Sequence, residues 1–334
     1  MTEMRNIINH LTGHKTLSSD QAKAILSDIA QGKYSEIEMA SFLTVYLMRS
    51  ITVEELSGFR DALLEHCIPI DLGTTNTIDL CGTGGDGKDT FNISTLASFV
   101  TAGAGAKVAK HGNYAVSSAC GSSNVLEYFG YQFTSKQNKL QQQIEKAGIC
   151  FLHAPLFNPA MKNVAPVRKT LRVKTFFNML GPMVNPANPQ KQLVGVFSME
   201  LARLYGYLYQ QSSKEFIILH SLDGYDEISL TGSFKVISNQ SEQLMQPDDL
   251  SLKTLSPELL YGGKSVADAS KIFIDVLEGR GTEAQNQVVL VNAAYALQCY
   301  YQLTLNDALA MAAESLQSGK ALHAFKTLID LSKN

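Results

Sequence analysis

The chain has 334 residues, of which 45% are hydrophobic and 18% charged, with a formal net charge of −3. That balance fits one large or two ordinary globular domains and excludes a nucleic-acid binder that works by neutralising phosphates. The five cysteines, Cys67, Cys81, Cys120, Cys150 and Cys299, are scattered without Cys-x-x-Cys spacing, which excludes a disulfide framework or zinc site and predicts reduced thiols in the cytoplasm.

Residues 1 to about 68 carry helical patterns only. Their start, Met1 to Asn6, has no signal-peptide apolar core, and no apolar run along the chain is long enough to span a membrane. Ser35-x-x-Glu38 and Thr52-x-x-Glu55 are capping boxes. They open segments with helical apolar spacing at Phe42, Val45 and Tyr46 and at Leu56, Phe59 and Leu63.

From residue 77 the texture alternates. Strands are predicted at Thr77 to Cys81, Ala106 to Lys110, Gly148 to His153, Gln192 to Phe197 and Glu215 to His220. Helices are predicted at Phe91 to Ala104 and Leu201 to Gln211. Proline-bearing helical pieces fill about 158–187, a hairpin is expected within Ile228 to Ile237, and about 264–332 reads as helix. The pattern predicts an α/β fold, with a small all-helical domain (1–70, joined by about 160–188) and a large α/β domain (71–334) around a mostly parallel central sheet.

Four glycines fall within six positions, Gly82 to Gly87, directly after a predicted strand. Such a loop turns tightly, presents successive N–H groups and hands the ligand to the next helix start. Asp86 inside it would repel a bare phosphate, so the loop predicts a phosphorylated sugar with a divalent ion. A P-loop is the near miss, because Asp89 stands where the metal-binding hydroxyl belongs. A ligand-free glycine turn is the bland alternative. Asn92-Ile-Ser-Thr95 extends the polar patch, with groups that suit helix capping, phosphate or metal.

Lys110-His-Gly-Asn113 with Ser117, Ser118 and Ser122 forms a second polar loop after the next strand, where open α/β sheets bind ligands. The alternative is a surface loop with local bonds. Asp226 and Glu227 follow the strand ending at His220. They form either a solvated turn or a pair of ligands for a hard cation, with Ser94 as a third contact. Arg168 is either an exposed helix residue or a bidentate carboxylate binder. No Ser-His-Asp triad is evident, and His111, His153 and His220 define no dyad.

Taken together, Cys81-Gly-Thr-Gly-Gly-Asp-Gly87, Thr90-Phe-Asn-Ile-Ser-Thr95, Lys110-His-Gly-Asn113, Pro159-Ala-Met-Lys162, Pro166-Val-Arg168, Phe177 to Pro182 and Asp223 to Gly232 resemble the anthranilate phosphoribosyltransferases, members of the nucleoside phosphorylase-like (type III) phosphoribosyltransferases. The resemblance runs in order along essentially the whole chain. It implies transfer of the phosphoribosyl group of phosphoribosyl pyrophosphate to anthranilate in tryptophan biosynthesis, magnesium as cofactor, and a cytoplasmic homodimer joined through the helical domain, with no nucleic acid or membrane partner.

Residue by residue, the resemblance gives phosphoribosyl pyrophosphate to Gly82, Gly85, Asp86, Thr90, Asn92, Ile93, Ser94, Thr95, Lys110, Ser118 and Ser122. His111, Gly112 and Ser117 complete the same substrate loops. Magnesium falls to Ser94, Asp226 and Glu227. Anthranilate falls to Gly82, Asn113 and Arg168, with Arg168 toward its carboxylate. No catalytic acid–base pair is assigned. Tyr114, Asn158 and Lys174 depart from the Arg, His and Arg common in the family. The rivals are a pyrimidine-nucleoside phosphorylase, whose lysine loop is usually Lys-His-Ser-Thr-Gly-Gly, and a nucleic-acid-binding paralogue, which the acidic balance opposes.

Overall fold

The computed structural model describes residues 3–115 and 119–333. The chain forms two compact units, Met1–Pro69 with Pro155–Pro186, and Ile70–Ala154 with Ala187–Asn334.

The first unit is helical, built on Met4–Thr12, Ser19–Ala30, Glu36–Met48 and Val53–Glu65. Ser35 with Glu38 and Thr52 with Glu55 form the expected reciprocal caps, and Ser18 with Gln21 forms another. Phe42, Tyr46 and Phe59 turn inward from two of these helices. Phe176, from the returning segment, stacks on Phe59 at 4.4 Å and meets the other two edge-on. Burial of that one ring explains why a segment so far along the chain belongs here. Gly58 permits a close helix pair, since a Cβ there would lie 2.2 Å from the Ser19 carbonyl oxygen.

Glu55 is fully buried in this unit. It accepts from the Leu17 and Thr52 N–H groups at 3.0 Å each, from Tyr46 Oη at 3.1 Å, and from both terminal nitrogens of Arg49. Burial alone would push its carboxyl up. The Arg49 bonds and the two backbone donors outweigh that and hold it below the ordinary 4.5. Because the folded value is depressed, this stabilisation is present above the unfolded value and is lost as pH falls through the folded one. Glu55→Gln is expected to cost roughly 3 kcal/mol by stranding Arg49. Thermal melts from pH ~7 down to ~3 should show a flatter acid limb in the variant; parallel limbs would remove Glu55 from the acid response.

The second unit is built on a seven-stranded sheet of order β3-β2-β1-β4-β5-β6-β7. The strands are β1 (Ile78–Gly82), β2 (Val108–Gly112), β3 (Ile149–His153), β4 (Lys191–Gly195), β5 (Glu215–Ser221), β6 (Phe234–Ser238) and β7 (Glu242–Met245). The pairs from β3 across to β5 are parallel, and β6 and β7 add antiparallel. The hairpin expected within Ile228 to Ile237 is therefore displaced. β6 pairs back on β5 and turns into β7, while Asp223 to Ser233 stays irregular. Hydroxyls hold it so: Ser221 Oγ donates to the Glu227 carbonyl and Thr231 Oγ1 to Asp223. Helices Ser122–Tyr128 and Gln137–Ala147 lie between β2 and β3. Helix Glu283–Tyr301 is buried nearly all round, and it packs on helix Ile93–Gly103 and on β4.

Chain order runs outward from β1 through β2 to β3, then returns to β4 on the other side of β1. The reversal puts the ligand crevice of an open α/β sheet between the C-terminal ends of β1 and β4.

Candidate active site

Gly82 of β1 and Gly195 of β4 are register partners at that crevice. Thr83, one residue on, donates its N–H to the Gly195 carbonyl at 2.9 Å. The missing side chains make a flat floor on which Asp226 rests. A Cβ on Gly82 would lie 2.2 Å from Asp226 Oδ2, and one on Gly195 would lie 1.4 Å from the Asp226 carbonyl oxygen. Glycine is thus required at both positions by volume. Gly84 and Gly87 differ, with φ of +66° and +74° and open space around them; there the requirement is conformational.

The glycine loop is tied to the acidic turn directly. Gly84 N–H donates to Asp226 Oδ2 at 2.7 Å, and Ser94 N–H, in the first turn of helix Ile93–Gly103, donates to Glu227 Oε1 at 2.8 Å. Burial first, then Asp86, holds the Asp226 carboxyl above the carboxylate range. Burial and then Asp226 do the same for Glu227. Two crowded carboxylates that resist ionising alone are what a divalent cation would relieve. Among the described residues no group of three His, Cys, Asp or Glu side chains encloses a metal. Magnesium suits such a partial set, because it binds through one or two carboxylates and takes its other ligands from substrate phosphate and water. Thr83 Oγ1 and Asn92 Oδ1 are buried without a hydrogen-bond partner among the described residues, and both belong to this loop.

Lys110 is placed differently from a ligand-facing cation. It is 2% exposed and donates from Nζ to the Leu80 carbonyl of β1 at 2.6 Å. Burial lowers its pKa, opposed by Asp79, Cys81 and Glu227. Its partner is therefore the β1 main chain, with Asp79 the strongest influence favouring its charge. His111 is buried at the end of β2, with its N–H on Asp79 Oδ1 at 3.1 Å. At Gly112 a Cβ would lie 2.5 Å from Ser122 Oγ. The carbonyl of exposed Asn113 accepts from Ser122 Oγ and the Ser123 N–H, bringing Asn113 and Ser122 together. Ser117 and Ser118 lie outside the described residues.

Asp86 accepts the Lys88 N–H, and Thr90 bridges to Tyr261. Gly85 takes a φ of +77° in the same loop. Asn92 donates to the Cys120 carbonyl at 3.1 Å without capping its helix. The Ile93 and Thr95 side chains are buried.

Asn292 is absent from the sequence expectations. It is 3% exposed, accepts the Ile228 N–H at 3.1 Å and donates to the Ile228 carbonyl at 2.9 Å. This pins the peptide that follows Glu227. Its only sequence signal is a polar residue inside the apolar run Val288 to Leu297.

Residues 74–322 match the family model described as glycosyl transferase family, a/b domain, and residues 5–67 match its helical bundle domain. An anthranilate phosphoribosyltransferase of Christiangramia forsetii is 59% identical over 99% of this chain and 100% of its own length. The chain belongs to the anthranilate phosphoribosyltransferase family. It is a transferase of that family, with the helical-bundle and α/β parts of its fold. The Flavobacterium psychrophilum anthranilate phosphoribosyltransferase is also 59% identical, over 98% of this chain and 100% of its own. Among solved structures, the Thermus thermophilus anthranilate phosphoribosyltransferase superposes with a TM-score of 0.91 at 30% identity, over 98% of this chain and 99% of that one. The Saccharomyces cerevisiae anthranilate phosphoribosyltransferase in complex with PRPP and Mg gives 0.91 at 26% identity, covering 99% of each chain.

Arg168 is half-buried in the helical unit of this anthranilate phosphoribosyltransferase family member. Its guanidinium donates to Asn178 Oδ1 at 3.3 Å and lies 5.5 Å from the Phe177 ring centroid. Of the three departures, Asn158 is buried and Lys174 exposed. Tyr114 donates to Glu127 at 3.1 Å and sets its ring edge-on to Phe133 and His153.

Proposed function

We propose that this chain transfers the phosphoribosyl group of phosphoribosyl pyrophosphate to the amine of anthranilate, releasing pyrophosphate in tryptophan biosynthesis. The observation that carries the reading is the seating of Asp226 across Gly82 and Gly195, which brings a phosphate-type loop and a cation-type turn together at the strand-order reversal. Full-length likeness to relatives of that name supports it.

The glycine loop would hold the phosphates through backbone N–H groups, with Thr83 and Asn92 supplying their unused oxygens to the sugar or to water. Ser94, Asp226 and Glu227 would hold magnesium, which supplies charge neutralisation to the departing pyrophosphate when bound. Lys110 would keep those carboxylates ionised once loaded. Arg168 would pair with the carboxylate of anthranilate. An aromatic amine is neutral at pH ~7, so attack at C1 of the ribose needs no base. Charge stabilisation and the positioning of two substrates would then provide the acceleration, with no acid–base pair required.

The reading extends to a cytoplasmic homodimer joined through the helical unit. Ile37 and Met48, 80% and 86% exposed, support that surface, and no described helix is long and apolar enough to cross a membrane. Anthranilate fluorescence is expected to fall on adding phosphoribosyl pyrophosphate with magnesium, in step with pyrophosphate release, and to persist with EDTA. Steady fluorescence despite calorimetric binding of phosphoribosyl pyrophosphate would assign a different acceptor.

A further inference from the structure

Lys88 and Tyr225 lie more than a hundred residues apart in sequence, on the glycine loop and the acidic turn. The Lys88 ammonium stands 4.6 Å from the centroid of the Tyr225 ring. Its stem runs over Gly224, where a Cβ would lie 3.6 Å from Lys88 Cε. Tyr225 is 4% exposed and fixed in the core, whereas Lys88 is half-buried. The Lys88 main chain is held in turn by Asp86, which accepts its N–H at 3.1 Å.

We propose that Lys88 is a positioning residue, a latch that clamps the glycine loop onto the acidic turn. Gly84 N–H on Asp226 Oδ2 already ties the loop to the turn at 2.7 Å. A cation over an aromatic face adds a further tether beyond Asp86 in the chain, between Lys88 and Tyr225. With both in place, the N–H groups of the loop and the carboxylates of the turn keep a fixed separation before any ligand arrives. Lys88 then acts on phosphate and metal through geometry, without touching either. The assignment of those ligands rests on the function proposed above; the latch itself does not.

Two measurements separate the ideas. In the ligand-free chain, hydrogen exchange of peptides covering Gly82–Lys88 and Asp223–Glu227 is expected to quicken about fivefold in Lys88→Met. Unchanged exchange would overturn the latch, whatever the chain binds. Calorimetry with phosphoribosyl pyrophosphate and magnesium then follows wild type, Lys88→Met, Tyr225→Leu and the double variant. Each single variant is expected to weaken binding about fivefold and the double hardly further, while Tyr225→Phe, which keeps the ring, stays within about twofold. Additive losses, or a loss in Lys88→Met alone, would make Lys88 a direct ligand contact and overturn its positioning role. Lys88→Met lies at a half-buried loop position, so the exchange test stands even if Tyr225→Leu fails to fold. Wild type that binds no phosphoribosyl pyrophosphate would sink the proposed function and leave the exchange result to decide the latch.

Discussion

Gly195→Ala is expected to lower turnover by about a hundredfold or more, although the residue has no side chain and no chemistry of its own. The added Cβ would sit 1.4 Å from the Asp226 carbonyl oxygen and 2.5 Å from its carbonyl carbon. Both are backbone atoms, so no rotamer change relieves the overlap. The acidic turn must lift from β4, and Gly84 and Ser94 then lose their acceptors. Gly84→Ala makes a useful contrast. Nothing lies within 4 Å of its Cβ position, so the cost is about 1–2 kcal/mol of left-handed backbone strain. Steady-state kinetics with magnesium titration on both variants checks the order. A Gly195→Ala enzyme as active as Gly84→Ala would show that the turn need not rest on the floor.

The pair Asp226→Asn with Glu227→Gln is expected to separate activity from stability. Turnover should fall about a hundredfold or more, because several kcal/mol of charge stabilisation on the leaving group is lost with the metal. Anthranilate affinity should change little. The ligand-free chain should melt a few degrees higher, since burial and mutual repulsion disfavour both charges, while each amide still offers an oxygen to the Gly84 or Ser94 N–H. Wild-type turnover in this variant would refute the metal assignment. A lower melting temperature would show that the carboxylates are stabilising without a ligand.

Much of this was legible in the sequence where the signal is local. The Ser35 and Thr52 caps are decided within four residues, and the glycine loop and acidic turn announce themselves by composition. The positions of β1 to β5 followed from short apolar runs, whereas polar β7 offered none. What failed was non-local. The Ile228 to Ile237 stretch reads as a hairpin, but hydroxyl bonds from Ser221 and Thr231 hold its first half irregular. Lys110 reads as the cation of a ligand-binding polar loop at a strand end, yet β2 buries it against the Leu80 carbonyl. Asn292 and Tyr225 matter only because the fold brings them to partners far along the chain.

The glycine floor also fixes when the site can exist. Gly82 and Gly195 lie about a hundred residues apart, and the seat for Asp226 appears only where β1 and β4 are already side by side. Such distant parallel pairing is among the slower events in folding, since a long loop must close first. A partly assembled sheet can hold the glycine loop and the acidic residues and still have nowhere to put them together. Bringing the glycine loop and the acidic turn together is therefore a property of the assembled sheet and of neither segment alone.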